Sequence, residues 1–105
     1  MNPNEIGSHK TSTYKDNNNV LKVVYHNTEV VQVKEDRYVV LNTGGWYTNT
    51  TKRRMNQASR QYKLGFSVYQ SGFTWYVAIG DDIMPYYDGI VIDIKENIIS
   101  KQLVD

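Results

Sequence analysis

A single run, Thr51 to Leu64, carries the three-to-four residue spacing of an amphipathic helix, while the apolar residues elsewhere alternate as strands do. A chain built this way has one rod to lay on one sheet, and that restricts it to an α+β arrangement. Thr51, Met55, Ala58 and Tyr62 fall on one side of the run, with Leu64 beyond them. Lys52, Arg53, Asn56, Gln57 and Arg60 fall on the other. The pattern predicts a central helix over about 51–64 with its apolar stripe on the sheet and its basic side in water.

The signals around that helix agree with it. Thr48, Thr50 and Thr51 are candidate N-caps, since a threonine hydroxyl accepts a hydrogen bond from an otherwise unpaired amide of the first turn. Gly65 stands where a left-handed residue would close the helix, and Lys63 suits the negative end of its dipole. Upstream, Asn42-Thr43-Gly44-Gly45 is a turn, and Trp46 directly after it is expected to insert into the core.

Strand-like runs flank this centre. Val20–His26, Glu29–Lys34 and Arg37–Asn42 are short, β-branched and separated by the polar pairs Asn27-Thr28 and Glu35-Asp36, as in an antiparallel meander. Gly65–Gln70 and Phe73–Ile79 read as a hairpin about Ser71-Gly72. That register sets Val68 opposite Trp75 and Phe66 opposite Val77, with Phe73 and Ile79 on the same inner face and Tyr69 diagonal to Tyr76 on the outer one. Gly80–Pro85 reads as a loop and Ile90–Ile94 as the last strand. The expected fold is an antiparallel sheet of five to six strands with one helix packed on a face.

Residues 1–19 are polar, lack periodicity and end in three asparagines, so they read as a flexible arm. Residues 20–94 read as the single domain and residues 95–105 as a tail. Strand 29–34, if at an edge, offers a route to a homodimer.

Composition narrows the function classes. The 105 residues carry a net charge of only +1, so any contact with a polyanion must come from a local patch. The absence of cysteine removes disulfides, thiolate nucleophiles and cysteine-based zinc sites together. No apolar run is long enough for a membrane helix, which makes the cytoplasm of a bacterial host the expected location. Nine tyrosines and two tryptophans are many for this length and suit half-buried sheets and binding surfaces alike.

Catalytic chemistry has little support. His26 is the only histidine in the expected fold, and a histidine on a strand is more often a surface residue than a general base. Asp81, Asp82 and Asp88 could gather near one loop, but no metal-binding spacing, phosphate loop or nucleophile elbow is present. The chain reads as non-enzymatic, with no cofactor.

Leu41-Asn42-Thr43-Gly44-Gly45-Trp46, Thr50-Thr51-Lys52, Arg54-Met55-Asn56-Gln57, Leu64-Gly65-Phe66, Val68-Tyr69-Gln70, Trp75, Val77 and Asp88-Gly89 together resemble a family of small phage- and plasmid-borne proteins. The resemblance covers roughly residues 20–94. It implies a mobile element in a bacterium and no particular activity.

Two functional readings follow. In the first, a small phage-type accessory protein binds nucleic acid: Lys52, Arg53 and Arg60 neutralise phosphates, Asn56 and Gln57 reach sugars or base edges, and Tyr69 or Tyr76 stacks on bases. The cations at the helix start are unfavourable for the dipole, which fits an anionic partner. In the second, the protein inhibits a bacterial host or defence protein through exposed aromatic residues and arginines. An enzyme acting on nucleic acid through His26 or the acidic loop is a third, minor reading.

Overall fold

Alternation of buried and exposed residues sets most of this structure, a computed structural model in which residues 10–100 are described. The order is β1 (Thr11–Lys15), β2 (Leu21–Tyr25), β3 (Thr28–Lys34), β4 (Tyr38–Leu41), α1 (Asn49–Gln61), β5 (Phe66–Ser71), β6 (Thr74–Ile79), β7 (Asp82–Pro85), β8 (Ile90–Asp93) and β9 (Ile98–Ser100). The class is α+β, with the strands in two antiparallel sheets. Six strands run β1-β2-β3-β4-β8-β9 and three run β5-β6-β7. Thus β4 and β8 are neighbours in space, and the helix with the small sheet is an excursion between them.

One core joins these layers. Val23, Val31, Leu41, Ile90 and Ile92 of the large sheet, Met55 and Ala58 of the helix, and Val77 and Ile79 of the small sheet are all almost fully buried. The helix packs on β2 and β3 of the large sheet and alongside β5 of the small one. Its apolar stripe lies where the spacing predicts. Burying side chains of this size is the main favourable term, roughly 1.5–3 kcal/mol each.

The helix ends differ in detail from expectation. Thr48 is the N-cap, its Oγ1 accepting from the Thr51 amide at 3.2 Å. At the other end Leu64 N–H donates to Ser59 C=O at 2.8 Å, and Lys63 N–H reaches Arg60 C=O at 3.4 Å. This is a Schellman closure, and its left-handed residue is Lys63 (φ +55°), two positions before Gly65.

Glu35 and Asp36 both take positive φ, as a tight hairpin turn requires, and Arg37 N–H donates to Lys34 C=O at 3.0 Å. The turn between β2 and β3 is His26-Asn27, one residue earlier than the sequence suggests, since Tyr25 pairs with Thr28. The second hairpin also differs. Ser71 pairs with Thr74, so the loop is Gly72-Phe73, with Gly72 at positive φ in the first central position. Val68 therefore opposes Val77, Phe66 opposes Ile79, and Tyr69 directly opposes Tyr76. Phe73 leaves the expected inner face and stands fully exposed at the hairpin tip.

Three strands occupy stretches that read otherwise. Residues 11–15 of the presumed arm form β1, which is mostly exposed and so has no alternation to read. The Asp16 carboxylate orders the asparagine run after it, accepting from Asn18 N–H at 2.8 Å and Val20 N–H at 3.0 Å. The rest of the arm, residues 1–9 with His9, lies outside the described residues. β7 fills the presumed loop; as an edge strand it tolerates Pro85. β9 fills the presumed tail up to residue 100, and Asp82 of β7 accepts from the Ile99 amide at 2.8 Å. β3 is internal, hydrogen-bonded to β2 and β4, so strand 29–34 offers no free edge for a second copy.

Candidate nucleic-acid interface

The helix does more than cover a sheet face. β5 is an edge strand of the small sheet, and an unpaired edge leaves amides and carbonyls without partners. Asn56 satisfies two of them: its Nδ2 donates to Val68 C=O, and its Oδ1 accepts from Val68 N–H, both at 2.8 Å. Ser59 Oγ donates to Phe66 C=O at 2.6 Å. Further along, Lys52 Nζ donates to Gln70 Oε1 at 2.9 Å. Residues 52, 56 and 59 thus run antiparallel to 70, 68 and 66, sewing α1 to the β5 edge.

Above this seam lies an open groove of about 370 Å³. Lys52, Arg53 and Arg60 line it from the helix, and Tyr69 and Gln70 from β5. Arg53 and Arg60 are exposed, and neither joins an ion pair among the described residues. No acidic residue stands in the first turn of α1, and among the described residues none lines the groove. Lys52 is partly committed, since besides bonding Gln70 its ammonium sits 5.2 Å from the centre of the Trp75 ring.

The residues singled out from the sequence therefore divide. Lys52, Arg53, Arg60 and Tyr69 meet in the groove. Asn56 also lies in its floor, but its amide is occupied by the Val68 backbone and is not free to reach a base. Gln57 is buried, not on the outer side; its Oε1 accepts from Arg54 Nη1 at 3.1 Å. Arg54 is buried with it, over the Tyr25 ring and bonded to Thr11 Oγ1 at 2.9 Å. The helix thus buries a polar flank beside its apolar stripe. Tyr76 is half-buried and stacks on Tyr69 at 5.6 Å, so it supports that ring from behind.

A second cleft of about 380 Å³ adjoins the groove through Gln70. Tyr47, Phe73, Trp75 and Tyr86 form it with Gln70 and Thr74, and no carboxylate lines it among the described residues. Tyr47 meets Trp75 edge-on at 5.0 Å and Tyr86 at 5.9 Å. The sequence does not show this cluster, because its members come from three separate segments, around residues 47, 73–75 and 86. The nearest signal was the aromatic density of the chain.

The turn that leads into the helix is held from a distance. Asp88 accepts from Thr43 N–H at 2.8 Å and from Thr43 Oγ1 at 2.9 Å. It also accepts from the Tyr86 hydroxyl at 2.6 Å. Burial, reinforced by this bond, raises the Tyr86 hydroxyl above its ordinary range, so it remains a donor. Gly89 N–H donates to Leu41 C=O at 2.8 Å, which closes the neck of the excursion. Gly44 lies against Thr28 with φ +64°, and a Cβ there would collide with that side chain.

Trp46 is not in the core: it is 65% exposed and lines a separate cleft of about 470 Å³ with Tyr25, His26, Asn27 and Thr28. His26 takes a left-handed turn conformation and packs edge-on against Tyr25 at 4.4 Å. Asp82 and Asp88 do not converge, each being bonded to a distant backbone amide. Among the described residues no group of three or more histidines, aspartates and glutamates is placed to hold a metal ion. No helix among them is long and apolar enough to cross a membrane.

No curated protein matches the chain, and no solved structure does. A family model does match, that of the Kyanoviridae Gp96 protein, over residues 1–93. The match takes in the N-terminal stretch that the spaced motif left out. With most of its length covered, the chain belongs to the Kyanoviridae Gp96 family of phage proteins.

Proposed function

We propose that this phage protein is a non-enzymatic nucleic-acid-binding accessory protein, acting in the cytoplasm of the host cell, and that the groove between α1 and β5 holds the phosphate backbone. The observation that carries the reading is the pair Arg53 and Arg60, exposed on a groove with neither carboxylates in its lining nor counter-ions for the two arginines among the described residues. Such guanidinium groups match phosphate oxygens in geometry and charge. The low net charge of the chain makes the interaction local and its affinity modest. With Asn56 and Gln57 occupied internally, contacts are to phosphate and sugar more than to base edges, and sequence preference is weak.

The test is a salt titration of binding to labelled DNA and RNA by fluorescence anisotropy. Binding at low salt that weakens linearly in log–log form supports the reading. Replacing Arg53 and Arg60 by glutamate should lower that slope by about 2, since each phosphate contact contributes nearly one. Binding that is absent at low salt, or indifferent to both substitutions, removes it.

A second reading, inhibition of a host or defence protein, draws on Trp46, which is an exposed anchor-sized ring beside a cleft on another part of the surface. A stoichiometric partner retained from nuclease-treated host lysate and lost on Trp46→Ala would favour it.

A further inference from the structure

The basic groove accounts for phosphate, but it leaves the aromatic cleft beside it unexplained. Phe73 occupies a hairpin tip, where polar or turn-forming residues are the usual choice, and its ring is fully exposed. Tyr47 is half exposed and meets Trp75 and Tyr86 edge-on, both of which line the same cleft, Trp75 as a buried ring. Gln70 lines both depressions, and Lys52 bridges them by bonding Gln70 while lying over Trp75. Cations therefore lead without a break into rings, and no carboxylate interrupts the path among the described residues.

Duplexes and single strands differ in what they can offer such a surface. In a duplex the base faces are stacked on one another and only their edges are open. An unpaired strand presents its π-faces, and stacking on aromatic side chains tolerates any sequence. We infer that the protein takes single-stranded nucleic acid, with the phosphates along Arg60, Arg53 and Lys52 and an unstacked base in the Tyr47–Phe73–Trp75–Tyr86 cleft. This rests on the nucleic-acid reading above and adds the strand state of the ligand and a base subsite. The adjoining charge decides against a protein as occupant of the same cleft, because an apolar protein anchor gains nothing from three flanking cations.

Three labelled probes test it at low salt: a thymidine homopolymer, a duplex of equal length, and an abasic strand carrying the same phosphates. The homopolymer should bind at least about tenfold more tightly than either of the others, the scale of one base stacked on a ring. Phe73→Ala, at an exposed position where folding is untouched, should erase most of that advantage while leaving abasic-strand binding and the salt slope as they were. Equal binding of all three probes, with Phe73→Ala neutral, overturns the base subsite and leaves the phosphate groove standing. Failure of every probe to bind overturns both.

Discussion

Asn56 on the helix and Val68 on the neighbouring strand exchange two hydrogen bonds, each 2.8 Å long, so that a side-chain amide does the work of a missing strand. Asn56→Ala leaves the Val68 amide and carbonyl without those partners, and a buried unsatisfied group costs about 1–3 kcal/mol. The variant should unfold at lower urea concentration with an unchanged m-value, by an amount near 2 kcal/mol. Asn56→Asp should be no better, because a carboxylate cannot donate to the Val68 carbonyl.

Asp88 anchors the turn at Thr43 and receives the Tyr86 hydroxyl. Its replacement by alanine removes three hydrogen bonds to one carboxylate, and bonds to charged acceptors contribute about 1.5–3 kcal/mol each when shielded from water. Asp88 is exposed at its rim, so a total loss of about 2 kcal/mol is expected. Near-ultraviolet circular dichroism should change with it, since Tyr86 packs on Trp75 at 5.6 Å.

Acid should weaken the fold through Asp93. The Arg37 guanidinium grips this carboxylate with bonds of 2.7–3.0 Å and holds it below the ordinary aspartate range. A carboxyl group lowered in the folded state contributes stability above its unfolded value. That contribution disappears as pH falls from there through the folded value. Asp16, lowered chiefly by the Val20 amide, adds in the same direction. Urea midpoints should therefore fall below about pH 4, and Asp93→Asn should flatten the profile in that window while lowering stability at neutral pH.

Lys63 closes the helix with a left-handed backbone that a side chain resists. Lys63→Gly should raise stability by about 1 kcal/mol, read as a higher melting temperature, because glycine adopts this conformation without the Cβ clash.

The helix, the inner strands and the core were legible because burial on one side leaves a period in the sequence. Val23, Val31, Met55, Ala58 and Val77 all follow it. β1, β7 and β9 were not, since each is short, lies at a sheet edge and has little inner face to mark. Asn56 misled for a different reason: a polar side chain that bonds a backbone looks, in sequence, like one that faces water. Trp46 and Phe73 misled in the opposite sense, as large rings that stay outside. Of the groove, Lys52, Arg53 and Arg60 could be read from helical spacing. The cleft beside it could not, because only the folded path brings residues 47, 73, 75 and 86 together.

The bonds from Asp88 to Thr43 and from Gly89 to Leu41 act as a clasp on a detour in an otherwise plain meander. Among the described residues, all that line the proposed binding surface lie within that detour, between residues 44 and 87. The surface can consequently be reshaped, lengthened or pruned by changes confined to one contiguous segment, with the pairing of β4 against β8 left as its fixed footing.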